Sequence, residues 1–247
     1  SAGNTRSSIL PSPVDYTTNK LRASLGYLTD LSQLDFAYEG SFFYNSLDQL
    51  TWESPFDRTS QRGLLGSTSL APSNQFHQLR LSGGRTLHGT TRLTGFVSAG
   101  VMMQDQEFQA DTVNLGVTPH TLPRDSLDGE VYLYNALLTL SSRPVRGLDL
   151  KASYRMQKRD SDISEDSYTY HRNDSSGGLS GAPATAINTG YSYDKRTLQM
   201  DAGYRINRVA RLGGELSRQT FERSPSEVSK TTEDLGQLKL HLKPLND

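Results

Sequence analysis

The sequence contains no cysteine among its 247 residues. This absence excludes disulfide bonds, thiolate metal sites and covalent attachment of c-type haem, which requires a C-x-x-C-H motif. Long hydrophobic runs are also missing, because no stretch approaches the ~18 consecutive apolar residues of a transmembrane helix. We therefore expect any haem or iron-sulfur chemistry to belong to a partner, and any membrane crossing to be made by strands.

The chain also lacks an excess of charge of either sign. It has 26 basic and 27 acidic residues, a formal net charge of -1. Such a balance gives no general attraction to nucleic acid, and we expect no nucleic-acid partner. Residues 1–13 have neither the basic leader nor the apolar core of a signal peptide. We expect that a signal was removed or that the chain begins within a longer polypeptide.

Apolar and polar residues alternate over long stretches. Leu148, Leu150, Ala152, Tyr154 and Met156 alternate with polar or charged residues. A period of two predicts a β-strand with two chemically different faces. Hydrophobic residues are only 34% of the chain, which is low for a soluble domain, but a membrane barrel needs apolar side chains at only every second strand position.

The alternating segments predict about nine strands, several of them longer than ten residues, near 21–27, 34–44, 75–83, 93–103, 127–141, 148–159, 198–206, 212–216 and 238–242. Connections alternate between short turns and longer loops, and the longer loops are predicted near 46–73, 105–125, 160–190 and 222–232. Outer-membrane barrels have short periplasmic turns and long extracellular loops. The predicted fold is therefore all-β, an antiparallel up-and-down transmembrane β-barrel.

An odd number of strands does not close a bacterial single-chain barrel. We therefore interpret residues 19–247 as part of a single, larger barrel, and residues 1–18 as an extension or a preceding loop.

The alternative fold is a soluble β-sandwich, for example one that binds carbohydrate, whose strands also alternate. Soluble strands are usually shorter. Tyrosines near strand ends favour the barrel, because they suit its aromatic girdles; they are Tyr27, Tyr44, Tyr132, Tyr134 and Tyr204.

The fifth predicted strand departs from simple alternation. Leu133 and Leu137 are apolar, and so are Tyr134 and Leu138, which belong to the other face. Either the strand presents an apolar patch to a partner, or a β-bulge interrupts its register.

The polar faces of the predicted strands carry the candidate partner contacts. If the apolar faces meet lipid, ten residues point into the lumen, where they are candidates for contact with a partner of complementary charge; they are Arg22, Asp35, Glu39, Lys151, Arg155, Asp201, Arg205, Glu215, Lys239 and His241. For any single one of them, solvation or pairing with neighbouring strands is the favoured explanation.

One loop segment has the composition of a packed structural element. It contains Asp48, Trp52, Pro55 and Phe56. A Ca²⁺ site built from Asp48, Glu53 and Asp57 is conceivable, but their spacing lacks the regular pattern of a known calcium loop. We interpret the segment as a structural loop.

Signatures of catalysis and of metal binding are missing. The five histidines are dispersed, without an H-E-x-x-H or comparable arrangement. His120 and His171 fall in predicted extracellular loops, where nothing in the sequence requires a metal or partner contact. No G-x-S-x-G, P-loop or dinucleotide fingerprint is present. The sequence therefore predicts a protein that is not an enzyme and has no metal site of its own.

Several sequence strings, taken in order, resemble the decahaem-associated outer-membrane β-barrel family, the MtrB/PioB type of porin in porin-cytochrome electron conduits. The strings are GSFFYN at 40–45, LTWESPF at 50–56, NQFHQ at 74–78, LSGG at 81–84, LPRDSLDGEV at 122–131 and YSYDK at 191–195. Some members carry an amino-terminal C-x-x-C, which this sequence does not contain.

The resemblance implies a function that strand periodicity cannot supply. Members of the MtrB/PioB family form a wide barrel that sheathes a periplasmic decahaem c-type cytochrome, so that electrons cross the outer membrane along the haem chain. An extracellular multihaem cytochrome is a further implied partner. The resemblance implies a Gram-negative outer-membrane protein that supports extracellular electron transfer and leaves the haem to its partner. A general diffusion porin or substrate channel is the alternative function.

Overall fold

The computed structural model describes residues 10–53, 64–171 and 183–243, and within them it contains thirteen β-strands. The strands are β1 (Tyr16–Leu28), β2 (Ser32–Asn45), β3 (Gln49–Glu53), β4 (Leu65–Ser69), β5 (Asn74–His88), β6 (Thr91–Gln104), β7 (Gly129–Ser142), β8 (Leu148–Asp162), β9 (Ser167–Tyr170), β10 (Ala184–Ile187), β11 (Ser192–Arg205), β12 (Ala210–Ser224) and β13 (Lys230–Leu242). Over these residues, no helix is long and apolar enough to cross a membrane.

Nine strands form one antiparallel sheet in the order β1-β2-β5-β6-β7-β8-β11-β12-β13. Each strand of this sheet pairs with the next one along the chain, which is the predicted up-and-down arrangement. The four remaining strands form two small hairpins, β3-β4 and β9-β10, inside predicted long loops. The prediction of about nine long strands is therefore confirmed. Over the described residues the sheet is open, with β1 and β13 at its edges.

Short turns connect the long strands at one end of the sheet, where the strands begin and finish. Gly89 and Gly147 lie there with φ of 54° and 89°, a conformation that residues with a Cβ rarely adopt. The side chain of Asn207 accepts hydrogen bonds from the backbone N–H groups of Val209 and Ala210 at 2.9 and 2.8 Å. Such local bonds tighten a turn without a long connection.

Several strands extend beyond their predicted bounds. The loop expected near 222–232 is much shorter, because β12 continues to Ser224 and β13 starts at Lys230. An ion pair of 2.7 Å between Lys230 and Glu222 joins the strands there, so the charged residues continue the ladder. The first strand starts at Tyr16 rather than near residue 21, because polar residues pair with β2 as well as apolar ones do.

The register of β7 resolves the ambiguity of the fifth predicted strand. β7 pairs continuously with β6 from Gly129 to Ser141 and with β8 from Glu130 to Ser142. The predicted alternative of a β-bulge is therefore wrong. Leu133 and Leu137 lie on the face opposite to Tyr134 and Leu138. The register between β5 and β6 shifts at Thr86 and His88, next to the Gly89 turn.

The described part of the chain has almost no hydrophobic core of its own. Its buried hydrophobic residues are Ala37, Val131 and Ala184, whereas Leu25 and Leu238 are 75% and 77% exposed. A sandwich would bury such side chains between two sheets. The described residues instead form a single large layer, so the soluble sandwich is wrong.

Candidate functional site

The sheet has one continuous apolar face. In register across the strands, Tyr154 lies between Leu138 and Leu198, and the same face continues to both sheet edges. In β8 the apolar segment runs from Leu148 to Met156, nine residues, which is the length that a tilted membrane strand needs. This face is the surface available to lipid.

Tyrosines lie toward both ends of the apolar face. Tyr27 and Tyr204 are near the turns, and Tyr44, Tyr132 and Tyr134 are near the long loops. All five belong to the apolar face by register. Their placement is typical of the aromatic girdles at the two interfaces of a membrane barrel.

Charged pairs end the apolar band on the side of the long loops. Lys158 lies 2.8 Å from Asp160, and Arg196 lies 2.6 Å from Asp194. Arg218 is 2.7 Å from Asp234 of the neighbouring strand. By register, these charged residues lie on the same face of the sheet as the apolar side chains. The polarity of this face therefore changes along the strands, from apolar in the middle to charged near the long loops. Such a change is typical of the boundary between hydrocarbon and headgroups in a membrane barrel.

All ten predicted contact residues lie on the opposite, polar face. Arg22 pairs in register with Glu39, and Asp35 is opposite Gly26 on the same two strands. Asp201 is in register with Lys151 on one side and Glu215 on the other. Arg155, Arg205, Lys239 and His241 occupy the same face of β8, β11 and β13. Their contact with a partner stays a prediction.

A polar groove of about 740 Å³ lies on this face near the short turns. Asp149 accepts hydrogen bonds from Arg143 and Arg211 at 2.6 and 2.9 Å. Gln199 donates to Asp201 and to Glu215, both at 3.2 Å. The ion pair between Lys239 and Glu215 is longer, at 3.9 Å. The groove therefore presents both signs of charge.

Sequence reasoning missed Asp149, Arg211 and Arg143 in this groove. Asp149 belongs to the polar alternation of β8, and Arg211 to that of β12, so the pattern already contained the signal for these two. Arg143 lies in a turn outside any alternation. Only its contact with Asp149 shows that it belongs to the groove.

Apolar side chains lie on the polar face of β5, β6 and β7, from mid-strand to the long-loop ends, and we call this group the apolar strip. Its members are Phe76, Phe96, Met102, Val131, Leu133 and Leu137, which register places on the polar side. The guanidinium group of Arg80 lies 4.1 Å from the centre of the Phe96 ring. A further pocket of about 330 Å³ lies beside Phe96 and Leu137, with Arg155 in its wall. A polar row of Arg80, Ser98 and Asn135 lies in register between Phe96 and Leu133, so the strip combines apolar side chains with a cation.

The predicted structural loop lies only partly within the described residues. Asp48 accepts a hydrogen bond of 2.6 Å from Gln106 in the next long loop, and Trp52 is in β3, opposite Gly66 of β4. Pro55, Phe56 and the calcium candidate Asp57 lie outside the described residues. Asp48 therefore joins two loops.

The long loops contact one another in what we call the loop layer, residues 46–53, 64–73, 105–128, 163–171 and 183–191. Arg124 lies 2.7 Å from Asp166 of a different loop. The rings of Phe108 and Tyr168 meet edge to face, with their centres 5.4 Å apart. These contacts tie connections that are distant in sequence into one structure.

Asp111, His120 and His171 meet in the loop layer. The Nδ1 atom of His120 is 2.7 Å, and Nε2 of His171 is 3.8 Å, from Oδ2 of Asp111. The Asp111 side chain is only 7% exposed. Burial, the largest influence, raises the pKa of Asp111, but hydrogen bonds from the His120 ring and from the backbone N–H groups of both histidines outweigh it. The pKa therefore lies below its ordinary value.

Comparison with known proteins agrees with this architecture. A family model described as "Putative outer membrane beta-barrel porin, MtrB/PioB" matches residues 1–247. Outer membrane protein MtrB of Shewanella baltica (strain OS185) is 30% identical over 229 residues, 93% of this chain. The chain spans about a third of that protein, since the match covers 31% of its length.

Proposed function

Because the chain belongs to the MtrB/PioB family of outer-membrane β-barrel porins, we propose that it forms part of a barrel wall that sheathes a multihaem c-type cytochrome. It lies in the Gram-negative outer membrane, and its family is one of porins rather than enzymes. The proposed partner is a periplasmic decahaem cytochrome inserted into the barrel, and the proposed role is support of electron transfer across the membrane.

The observation that carries this proposal is the difference between the two faces of the nine-stranded sheet. One face is a continuous apolar surface bounded by tyrosines and charged pairs, as lipid requires. The other combines the apolar strip with charged residues on both sides of it. Protein interfaces commonly have an apolar centre and a polar rim. The polar face therefore suits a protein occupant.

Haem in this proposal is carried by the cytochrome. The chain has no cysteine, so it cannot hold c-type haem by thioether bonds. We propose that it binds no cofactor for electron transfer and catalyses no reaction. Its contribution is to exclude lipid from the haem chain and to hold the cytochrome in place. An extracellular multihaem cytochrome would then meet the side of the loop layer.

The open edges of the sheet support a larger barrel. β1 and β13 each have one neighbour among the described residues. A sheet edge with unpaired N–H and C=O groups is very costly in hydrocarbon. We propose that further strands of the same barrel pair with β1 and β13.

The experiment is co-purification of the full-length barrel from its native membrane, followed by haem staining. We expect a multihaem cytochrome at a fixed ratio to the barrel after mild detergent extraction. Absence of haem protein from an intact, folded barrel would contradict the proposal. A heat-modifiability assay on the same sample verifies that the barrel is folded.

A diffusion porin is the second candidate, and the polar groove with its mixed charges is the observation that favours it. Water-filled barrels have polar interiors. Conductance in a planar bilayer distinguishes the two functions. A sheath occupied by its cytochrome should pass few ions, whereas a diffusion porin should conduct steadily in its native, co-purified state.

A further inference from the structure

The cluster of Asp111, His120 and His171 has the donor set of a metal site. One ligand atom from each side chain lies within 4.8 Å of the others. Two imidazole nitrogens and one carboxylate oxygen suit Zn²⁺, Cu²⁺, Ni²⁺ or Fe²⁺, whereas Ca²⁺ and Mg²⁺ prefer oxygen ligands alone. We propose that these three residues bind one divalent transition-metal ion, which joins two long loops.

The distances fit this proposal. Metal–ligand bonds of about 2.0–2.2 Å place the ligand atoms of a tetrahedral ion roughly 3.3 Å apart. The two distances to Oδ2 of Asp111, 2.7 and 3.8 Å, lie on either side of that value. Shifts of about half an ångström would bring each nitrogen to that distance from the carboxylate oxygen, and the ligand atoms of the two histidines lie within 4.8 Å of each other.

The surroundings hold the carboxylate in position. Oδ1 of Asp111 accepts the backbone N–H of His120, and Oδ2 accepts that of His171, both at 3.0 Å. Outer hydrogen bonds of this kind orient metal ligands and fix their charge state. The carbonyl oxygen of Thr118 lies 3.2 Å from Nε2 of His171, close enough to contribute a further oxygen ligand.

The two histidines are partly shielded from water, with side chains 26% and 21% exposed. Their rings lie 4.2 Å apart at the centres. Coordination through Nδ1 of His120 and Nε2 of His171 would replace their hydrogen bonds to Asp111 and to the carbonyl oxygen of Thr118. In each ring the proton would move to the other nitrogen. The site thus exchanges two hydrogen bonds for metal–ligand bonds without an uncompensated charge at the carboxylate.

The consequence is a link between residues 105–128 and 163–171. Asp111 and His120 belong to the loop between β6 and β7, and His171 follows β9 in the loop between β8 and β11. A bound ion would lower the mobility of both loops together. This role concerns the loop layer and does not depend on a cytochrome inside the barrel.

The test is a titration of the full-length barrel in detergent, without a histidine tag, after removal of metals by a chelator. The variant His120→Asn/His171→Gln keeps hydrogen-bonding groups near the original nitrogens but replaces imidazole by amide, a poor ligand for these ions. We expect Zn²⁺ to bind the unmodified protein more than about 100-fold more tightly than the variant, because changes to outer hydrogen bonds alone cost 10- to 100-fold.

Three controls sharpen the result. His88→Gln, at an exposed residue on the turn side, should bind Zn²⁺ as the unmodified protein does. Ca²⁺ should not displace Zn²⁺. Hydrogen exchange in residues 105–128 should slow with Zn²⁺ in the unmodified protein and stay unchanged in the double variant. Equal Zn²⁺ affinity of the unmodified protein and the double variant would overturn the proposal, and so would absence of binding at micromolar Zn²⁺.

Discussion

The side-chain amide of Asn114 pairs with both backbone polar groups of Leu65. Its Oδ1 accepts the N–H of Leu65 at 2.7 Å, and its Nδ2 donates to the carbonyl oxygen at 2.8 Å. Asn114 is only 8% exposed. The amide thus completes the edge of the β3-β4 hairpin from another loop, which makes it a main connection within the loop layer.

Replacement of Asn114 by alanine should loosen this connection. The change leaves two backbone groups of Leu65 without these partners, at a cost of about 2 kcal/mol or more in local stability. We expect the Leu65 amide to exchange with deuterium roughly 30-fold faster. Asn114→Asp keeps an acceptor for that N–H, so its exchange rate should lie between those of the unmodified protein and the alanine variant. Unchanged exchange in the alanine variant would show that the loops are held by other contacts.

Substitution of Met200 by arginine should destabilise the barrel in a bilayer. Met200 lies in the middle of the apolar face, in register with Ala152 and Leu216. Arginine near the centre of a bilayer costs about 2–4 kcal/mol in a barrel. Reversible unfolding into urea from lipid vesicles measures this cost.

The matched control is Gln199→Arg, one residue away and on the polar face. Its neighbours there are Asp201 and Glu215, so a cation is readily accommodated, and we expect a change within ~0.5 kcal/mol. Equal losses in the two variants would contradict the assignment of the faces.

Replacement of Leu137 by serine should weaken binding of the cytochrome. Leu137 is half-buried in the apolar strip, beside Phe96 and Arg155. Loss of a central apolar contact typically costs about 1–2 kcal/mol, which corresponds to a roughly 5- to 30-fold weaker affinity. Thr139→Ser, two residues further along the same face, should bind normally. The measurement is the affinity of the detergent-solubilised full-length barrel for the cytochrome, with bound cytochrome quantified by its haem absorbance.

Single cysteines can establish the orientation of the sheet, because the chain has none of its own. Leu115 lies exposed in a long loop, and Val145 lies exposed in a short turn. We expect Leu115→Cys to react with a membrane-impermeant maleimide on intact cells. Val145→Cys should react only after the outer membrane is permeabilised. The opposite pattern would reverse the orientation.

Much of the fold could be predicted because the alternation is a local property. Successive strand residues point to opposite faces, so Leu150 and Lys151 are separated wherever the strand lies. The end of β12 was harder to predict. Glu222 and Lys230 look like loop residues by polarity, and only their pairing across β12 and β13 makes them part of the strands.

The nine long strands follow from the sequence alone, and so do their two faces and the order of short and long connections, since each depends on a period of two or on local turn residues. The contacts between the loops, in contrast, became visible only in the folded chain. Asp111 and His171 are 60 residues apart, and no period relates them. Their meeting depends on how two irregular loops pack against each other, which is a property of the whole fold.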